Sequence, residues 1–351
     1  MHRRAPPPRL RRRRHHGRRA HARLARARPR APALGRRARG ARPRPPAGDA
    51  RRRTRRNRQP RGLLLHSRSC ELPGAVTRIL HIADLHFGRE DERLVAALAE
   101  EAERLAPDVI VAAGDLTTFG RRREFAACRA LFERFSAPVV ASPGNHDVPY
   151  ANMFSRLVSP WGRFHHRMGD TVAPRYRDHQ IAVESFETAR GAQWRLDWSL
   201  GKARPDQARE VARRLAAHGG RETLRVVACH HPLVAPGGLT GRAKTKYGAA
   251  AADVFIQGGA DLVLTGHMHQ VFALVERWDG HSCWFVGAST ALSRRTRDEP
   301  AGFNVLDVDD HHFSMHVHVA TPEGGFVRSE TRRLDRAEAE LVPEHPGEPG
   351  I

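Results

Sequence analysis

Residues 79–86 read Ile-Leu-His-Ile-Ala-Asp-Leu-His, a short apolar run that stops at a carboxylate and an imidazole two positions apart. The run is too short for a buried helix and reads as a strand. From residue 91 the period changes, and Leu94, Leu98, Ala102 and Leu105 recur at helical spacing until Pro107. A second buried strand, 109–113, ends at Gly114-Asp115, and Phe125, Cys128, Phe132 and Phe135 mark one face of the helix after it. A third strand, 138–142, ends in Gly144-Asn145-His146-Asp147. Strands alternating with helices in this way define an α/β domain built from βα units.

Residues 150–200 are less regular. A helix is expected near 153–168 and a strand near 181–186, with the whole segment forming a lid or insertion. A helix over 205–217 opens on Pro205 and closes at Gly219 and Gly220. Strand 224–229 then leads into His230-His231-Pro232, and a helix over 249–256 precedes strand 262–265, which ends in Gly266-His267-Met268-His269. Five strand-like runs without helices follow, at 271–277, 283–286, 303–308, 312–319 and 326–332. A helix-rich first half and a strand-rich last third predict a four-layer αββα sandwich, two mixed β-sheets flanked by helices.

The chain has 351 residues, and 60 Lys plus Arg against 38 Asp plus Glu give a net charge of +22 with histidine neutral. That excess is local. Residues 1–75 hold 26 Arg, no Lys and only two acids, Asp49 and Glu71, so the rest of the chain is close to neutral at −2. The same 75 residues contain 10 of the 24 prolines and no Phe, Trp or Tyr, too little apolar surface to offset the entropy of ordering. They are expected to be a disordered Arg/Pro-rich leader. Two origins fit it: a tether for nucleic acid or an anionic surface, or a mis-assigned upstream start in GC-rich DNA, since Met1 is the only methionine before Met153. The folded domain is expected over 76–337, with 338–351 as a flexible tail.

Cys70, Cys128, Cys229 and Cys283 lie far apart without a C-x-x-C pair, which suits a reducing, cytoplasmic setting. No apolar run approaches the 18 or more residues of a membrane span, and residues 63–65 are too short for a signal-peptide core.

Five strand ends deliver metal-competent side chains in order: Asp84-x-His86, Gly114-Asp115, Gly144-Asn145-His146-Asp147, His230-x-Pro232 and Gly266-His267-x-His269. Carboxylates and neutral imidazoles suit first-row divalent or trivalent metals, and an aspartate can bridge two of them. Loops at the carboxyl ends of strands face one crevice in open α/β sheets, so ligands scattered from position 84 to 269 can converge. In Asp84-Leu85-His86 and His267-Met268-His269 an extended backbone would point alternate side chains the same way. Gly114, Gly144 and Gly266 would permit tight turns or positive φ beside the metals.

These residues resemble the calcineurin-like metallophosphoesterase superfamily, whose pattern is Asp-x-His, Gly-Asp, Gly-Asn-His-Asp/Glu, His and Gly-His-x-His. The match spans about 77–308 and covers every ligand position. GDLTTFGRRREF (114–125), PVVASPGNHD (138–147) and the strand at Phe303 after SRRTRDEP (293–300) look most like the bacterial branch with class III cyclic-nucleotide phosphodiesterases. The resemblance implies that Asp84, His86 and His269 hold a first metal and Asn145, His230 and His267 a second, with Asp115 bridging both. It places His146 beside the substrate phosphate, with Asp147 fixing its orientation. Two divalent or mixed-valence ions, manganese, iron or zinc, are implied as cofactors. A hydroxide held between metals about 3.5–4 Å apart would attack phosphorus in line.

Other polar residues have plainer readings. His231 is a neighbour of His230; His165 and His166 are a solvated helix face; Arg121, Arg122 and Arg123 are an exposed helix start; Cys229 is a small buried hydrophobe. Arg294, Arg295 and Arg297 fit either a basic rim or an ordinary loop. His311, His312, His316 and His318 alternate on a strand beyond the motif set and are expected not to bind metal. The leading expectation is a phosphodiesterase acting on a small nucleotide or related phosphodiester. A nuclease tethered by the leader and a non-catalytic binding module with the same fold are the alternatives. The near-neutral body offers no electrostatic footprint for DNA, and the complete ligand set argues against a binding module.

Overall fold

The computed structural model describes residues 76–149, 153–191, 199–220, 223–234, 236–237, 245–294, 299–309 and 312–335. All fall within one unit, Leu65–Ile351. The leader 1–75 and the tail 338–351 lie outside the described residues.

Among the described residues, twelve strands form two six-stranded sheets. The first contains β1 (Thr77–Ile82), β2 (Val109–Ala113), β3 (Val139–Ser142), β10 (Gly302–Val308), β11 (His312–Ala320) and β12 (Phe326–Asp335), in the order β12-β11-β10-β1-β2-β3. The second contains β4 (Arg175–Arg177), β5 (Ile181–Phe186), β6 (Leu224–Cys229), β7 (Leu262–Thr265), β8 (Phe272–Trp278) and β9 (His281–Gly287), in the order β4-β5-β6-β7-β9-β8. Both sheets are mixed. β1, β2 and β3 pair in parallel while β10, β11 and β12 pair antiparallel; β5, β6, β7 and β9 are parallel, with β4 and β8 antiparallel at the two edges.

Alternation along each strand explains the layers. In β2, Val109 and Val111 face the other sheet while Ile110 and Ala112 face helices. Between the sheets lie Ile79, Val226, Leu264, Val286 and Met315. The outer face of the first sheet packs on α1 (Glu92–Leu105) and α2 (Arg122–Phe132). That of the second packs on α5 (Pro205–Ala216) and α6 (Gly248–Gln257). The expected αββα sandwich is therefore the observed one. A polar tie also crosses it: Asn304 of β10 donates to Gly287 O of β9 at 3.0 Å.

Helix α1 shows how local sequence sets an element. Asp91 caps its first turn by accepting from Arg93 N, Leu94, Leu98, Ala99 and Ala102 make the buried stripe, and Ala106 turns left-handed (φ 47°) before Pro107.

Residues 150–200 depart from expectation in two ways. The single helix expected over 153–168 is two, α3 (Met153–Val158) and α4 (Gly162–Met168), because Pro160 removes a backbone donor between them. Strands β4 and β5 are also part of the second sheet, β5 pairing in parallel with β6, so 175–186 is framework, not lid. Its apolar alternation, Ile181, Val183 facing in, is what buries it.

Candidate metal centre

The loops after β1, β2 and β3 of the first sheet and after β6 and β7 of the second meet at one end of the sandwich. Asp84, His86, Asp115, Asp147, His230, His267 and His269 are buried there, with Asn145 and His146 half-buried. Asp84 Oδ1 lies 3.2 Å from His269 Nε2 and 3.8 Å from His86 Nε2. The two imidazoles approach to 3.3 Å at Nε2. Asp115 Oδ2 lies 3.4 Å from His230 Nε2 and 3.9 Å from His86 Nε2, so one carboxylate stands between the two groups. Asn145 Oδ1 is 3.2 Å from His230 Nε2, and the His267 and His230 rings are 5.1 Å apart at their centroids.

The backbone that achieves this is not extended. Asp84, His86, Asp115, His267 and His269 all have positive φ, between 48° and 70°, a region that costs non-glycine residues about 1 kcal/mol or more each. The alternation expected of Asp84-Leu85-His86 and His267-Met268-His269 thus arises from curled backbone, with Leu85 and Met268 still turned into apolar clusters. Cross-loop hydrogen bonds hold the curl. Asp84 N donates to Gly114 O (3.0 Å), His86 N to Asp115 O (3.0 Å), His267 N to Asp84 Oδ2 (2.7 Å) and Thr290 Oγ1 to Asp84 O (2.6 Å).

Of the three glycines, Gly114 has φ +78°. Gly144 and Gly266 answer a different need, close approach. A Cβ on Gly266 would sit 2.5 Å from Asp84 Oδ2, and one on Gly144 would overlap Asp115 Oδ1 and N.

Electrostatics follow from burial and pairing. Burial pushes the Asp84 carboxyl up, but the facing His269 imidazole and, after it, His230 together bring the pKa down to about 2. Asp115 behaves likewise, burial opposing and His230 then His146 holding it well below the carboxylate range. Burial pulls His230 down, yet Asp115 lifts it to about 9. Burial lowers His86 to about 4 and His267 well below its usual value, so both present neutral, lone-pair nitrogens.

Donor chemistry tests whether a metal suits this layer. His267 Nε2 is buried with no hydrogen-bond partner, a costly condition for a polar atom unless something else engages it. Asp84, His86 and His269 each offer a ligand atom within 4.8 Å of the others, as do Asp84, Asp115 and His230. Mixed oxygen and imidazole donors of this kind fit first-row divalent ions.

His146 and Asp147 play distinct parts. His146 Nδ1 lies 2.7 Å from Thr118 O, its backbone N–H donates to Asp115 Oδ1 at 2.8 Å, and its ring stands edge-on to His86 at 5.0 Å. The Asp147 carboxylate accepts from Leu116 N (3.1 Å), Thr117 N (2.8 Å), Thr117 Oγ1 (2.8 Å) and Gly144 N (2.8 Å). It therefore fastens the Gly144 turn to the Asp115 loop and reaches His146 through backbone only; the direct grip on the ring belongs to Thr118.

Sequence reading passed over Thr118, Thr290 and Glu124. Glu124, buried in the first turn of α2, accepts from Phe119 N (2.8 Å) and Arg121 N (3.2 Å); an acid three residues past a helix start is the signal that marks it. His165 and His166 are exposed, as are Arg121, Arg122 and Arg123. His231 is buried beside His267. Arg294 is exposed, 3.9 Å from Asp91, while Arg295, Arg297 and His311 lie outside the described residues.

A family model for calcineurin-like phosphoesterases matches residues 77–271. The chain belongs to that family. It is also 27% identical over 246 residues, 66% of this chain and 87% of the relative, to a Synechococcus sp. protein described as a probable cyclic nucleotide phosphodiesterase. Among solved structures it is similar to a dimetal phosphatase from Danio rerio (12% identity, TM-score 0.52, 74% of this chain and 99% of that one). It is likewise similar to a purple acid phosphatase from yellow lupin, Lupinus luteus (13%, 0.52, 75% and 54%). These structural likenesses concern the fold. Among the described residues, no helix is long and apolar enough to cross a membrane.

Proposed function

We propose that the chain is a dinuclear metal-dependent phosphodiesterase acting on a small nucleotide or related phosphodiester. The observation that carries the reading is the buried Asp115 carboxylate standing between His86 and His230, with Asp84 and His269 on one side and Asn145 on the other. Asp84, His86 and His269 would hold one ion, Asn145, His230 and His267 the second, and Asp115 both. Manganese, iron or zinc ions bound there supply Lewis acidity toward phosphoryl oxygens and lower the pKa of a bound water.

The chain's own residues do the rest. A carbonyl oxygen only accepts, so His146 Nδ1 carries its hydrogen toward Thr118 O and Nε2 is the nitrogen that exchanges protons. Protonated, Nε2 donates to the leaving oxygen of the ester. Asp147 positions this histidine by locking the turn that bears it. The choice of a nucleotide diester is supported by the Synechococcus relative, and a reducing, cytoplasmic setting by the buried free thiols of Cys128, Cys229 and Cys283.

Metal-loaded protein should be assayed against bis(p-nitrophenyl) phosphate, the p-nitrophenyl monoester, cyclic AMP and single-stranded DNA. Hydrolysis of the diester and of cyclic AMP, with little of the monoester, is the expected result. Activity confined to DNA would instead favour a nuclease tethered by residues 1–75, and two bound metals without any hydrolysis a binding module.

A further inference from the structure

His230, His231 and His267 each offer a nitrogen within 4.8 Å of the others, like a three-histidine ligand set. His231 differs in that both of its ring nitrogens are engaged. Nε2 lies 2.9 Å from Ser199 O; a carbonyl only accepts, so Nε2 carries the hydrogen. Nδ1 is then the lone pair, and it takes the Thr188 hydroxyl at 3.0 Å. The same Thr188 Oγ1 accepts the His231 backbone N–H at 2.9 Å, so one hydroxyl fixes the ring and its backbone together.

With its nitrogens occupied, His231 offers neighbours its ring surface. Its centroid is 4.4 Å from that of His267, tilted by 43°, and 4.7 Å from that of His230, edge-on at 82°. It also packs on Gly201, where a Cβ would come within 2.6 Å of His231 Cγ. Segment 199–203 is itself clamped. Gly201 O accepts from Arg190 Nη2 (2.8 Å) and Lys246 N (3.0 Å), and Lys202 N donates to Thr188 O (2.7 Å). Thr188 is therefore a common post, its carbonyl holding the segment and its hydroxyl holding His231.

We infer that His231 is a positioning residue that Thr188 orients so that it sets the ring of His267 for the ion shared with His230 and Asn145. The inference rests on the metal-centre reading above. Groups behind a metal ligand typically change affinity by about 10–100-fold when removed, and the effect falls on the ion they serve.

The test is titration of Mn²⁺ or Co²⁺ into metal-free full-length protein by calorimetry, with the visible spectrum of the Co²⁺ form as a second readout. Wild type should bind two ions. Thr188→Val and His231→Phe should each weaken one ion by about 10–100-fold, leave the other within about twofold, and alter one component of the Co²⁺ spectrum. His231→Gln, which can still donate to Ser199 O, should recover part of the loss. Two ions bound with wild-type affinity and spectrum in folded Thr188→Val and His231→Phe would overturn the inference. So would an equal loss at both ions that tracks a lowered melting temperature, since that is damage to the fold alone. A wild type that binds no pair of ions would overturn the metal-centre reading itself, a result distinct from either.

Discussion

Alternating histidines occur twice in this chain and do opposite things. On β11, His312, His316 and His318 follow strand spacing, and each finds its own local partner. His316 sits between Asp307 (3.5 Å) and Thr331 (2.9 Å), His312 between Asp309 and Asp335 (3.4 Å each), and His318 stacks on Phe303 at 4.8 Å. At the sandwich end, His86, His267 and His269 share the same x-His spacing but sit on left-handed backbone, and rings from different loops meet: His86 and His269 are 5.2 Å apart at their centroids. A strand advances about 3.3 Å per residue, so alternate rings stand roughly 6.6 Å apart along a flat face. Curled loops from two sheets remove that separation. Convergence of loops, not density of histidine, brings together groups that could hold a metal.

The largest effect should come from removing the carboxylate common to both halves of the cluster. Asp115→Ala is expected to abolish hydrolysis, a loss of about 10³-fold or more, and to lower metal content below two ions per chain. Elemental analysis showing two ions with unchanged turnover would break the contrast at its centre.

His146→Ala should cost about 10²–10⁴ in rate while both ions stay bound. The loss should be smaller on p-nitrophenyl esters, whose leaving group needs no proton. Equal losses across leaving groups in steady-state kinetics would remove the acid role from His146 Nε2.

Close approach can be probed without touching a ligand. Gly144→Ala puts a Cβ against Asp115 and should destabilise the fold by about 1–3 kcal/mol, the cost of overpacking, and reduce metal content as well. Urea unfolding and metal analysis should move together; a stability loss with full metal occupancy would show that the glycine serves packing alone.

His316→Ala on β11 should leave metal content and turnover unchanged and shift stability by no more than about 1 kcal/mol, the scale of a partly exposed ion pair. A drop in bound metal would erase the distinction between the two histidine sets. Smallest of all should be removal of residues 1–75, proposed to be dispensable: stability and turnover on small substrates should hold, while any salt-dependent DNA affinity, read by titration at two ionic strengths, should disappear with the arginines.

Much of this was legible in order. Short continuous apolar runs placed β1 and β2, which are buried on both faces, and helical apolar repeats placed α1 and α2, because burial of one helix face leaves its repeat in the sequence. Pro205 and Gly219 marked the ends of α5 for equally local reasons. Residues 150–200 were not legible in the same way. A three-residue edge strand such as β4 carries too few positions for a period, and Pro160 split a helix that periodicity alone would have continued.

The types and order of the site residues follow from the chain's primary structure, since a carboxylate, an amide or an imidazole at a strand end is a property of that position. Primary structure also determined that those strand ends would share one side of the sheets, because parallel βα units place all their carboxyl ends together. Tertiary structure alone decided which neighbours each side chain keeps. Asp147 is surrounded by the amides of Leu116, Thr117 and Gly144, so it meets His146 through the turn, while Thr118 O takes the ring. His231, adjacent to His230 in sequence, acquires its partners from Thr188 and Ser199, 43 and 32 positions away. Hydrogen-bond partners at such separations depend on loops meeting across two sheets, and the positive φ of five site residues depends on the same meeting. A strained backbone persists only where its surroundings over-determine it, and those surroundings exist only once the sandwich has closed.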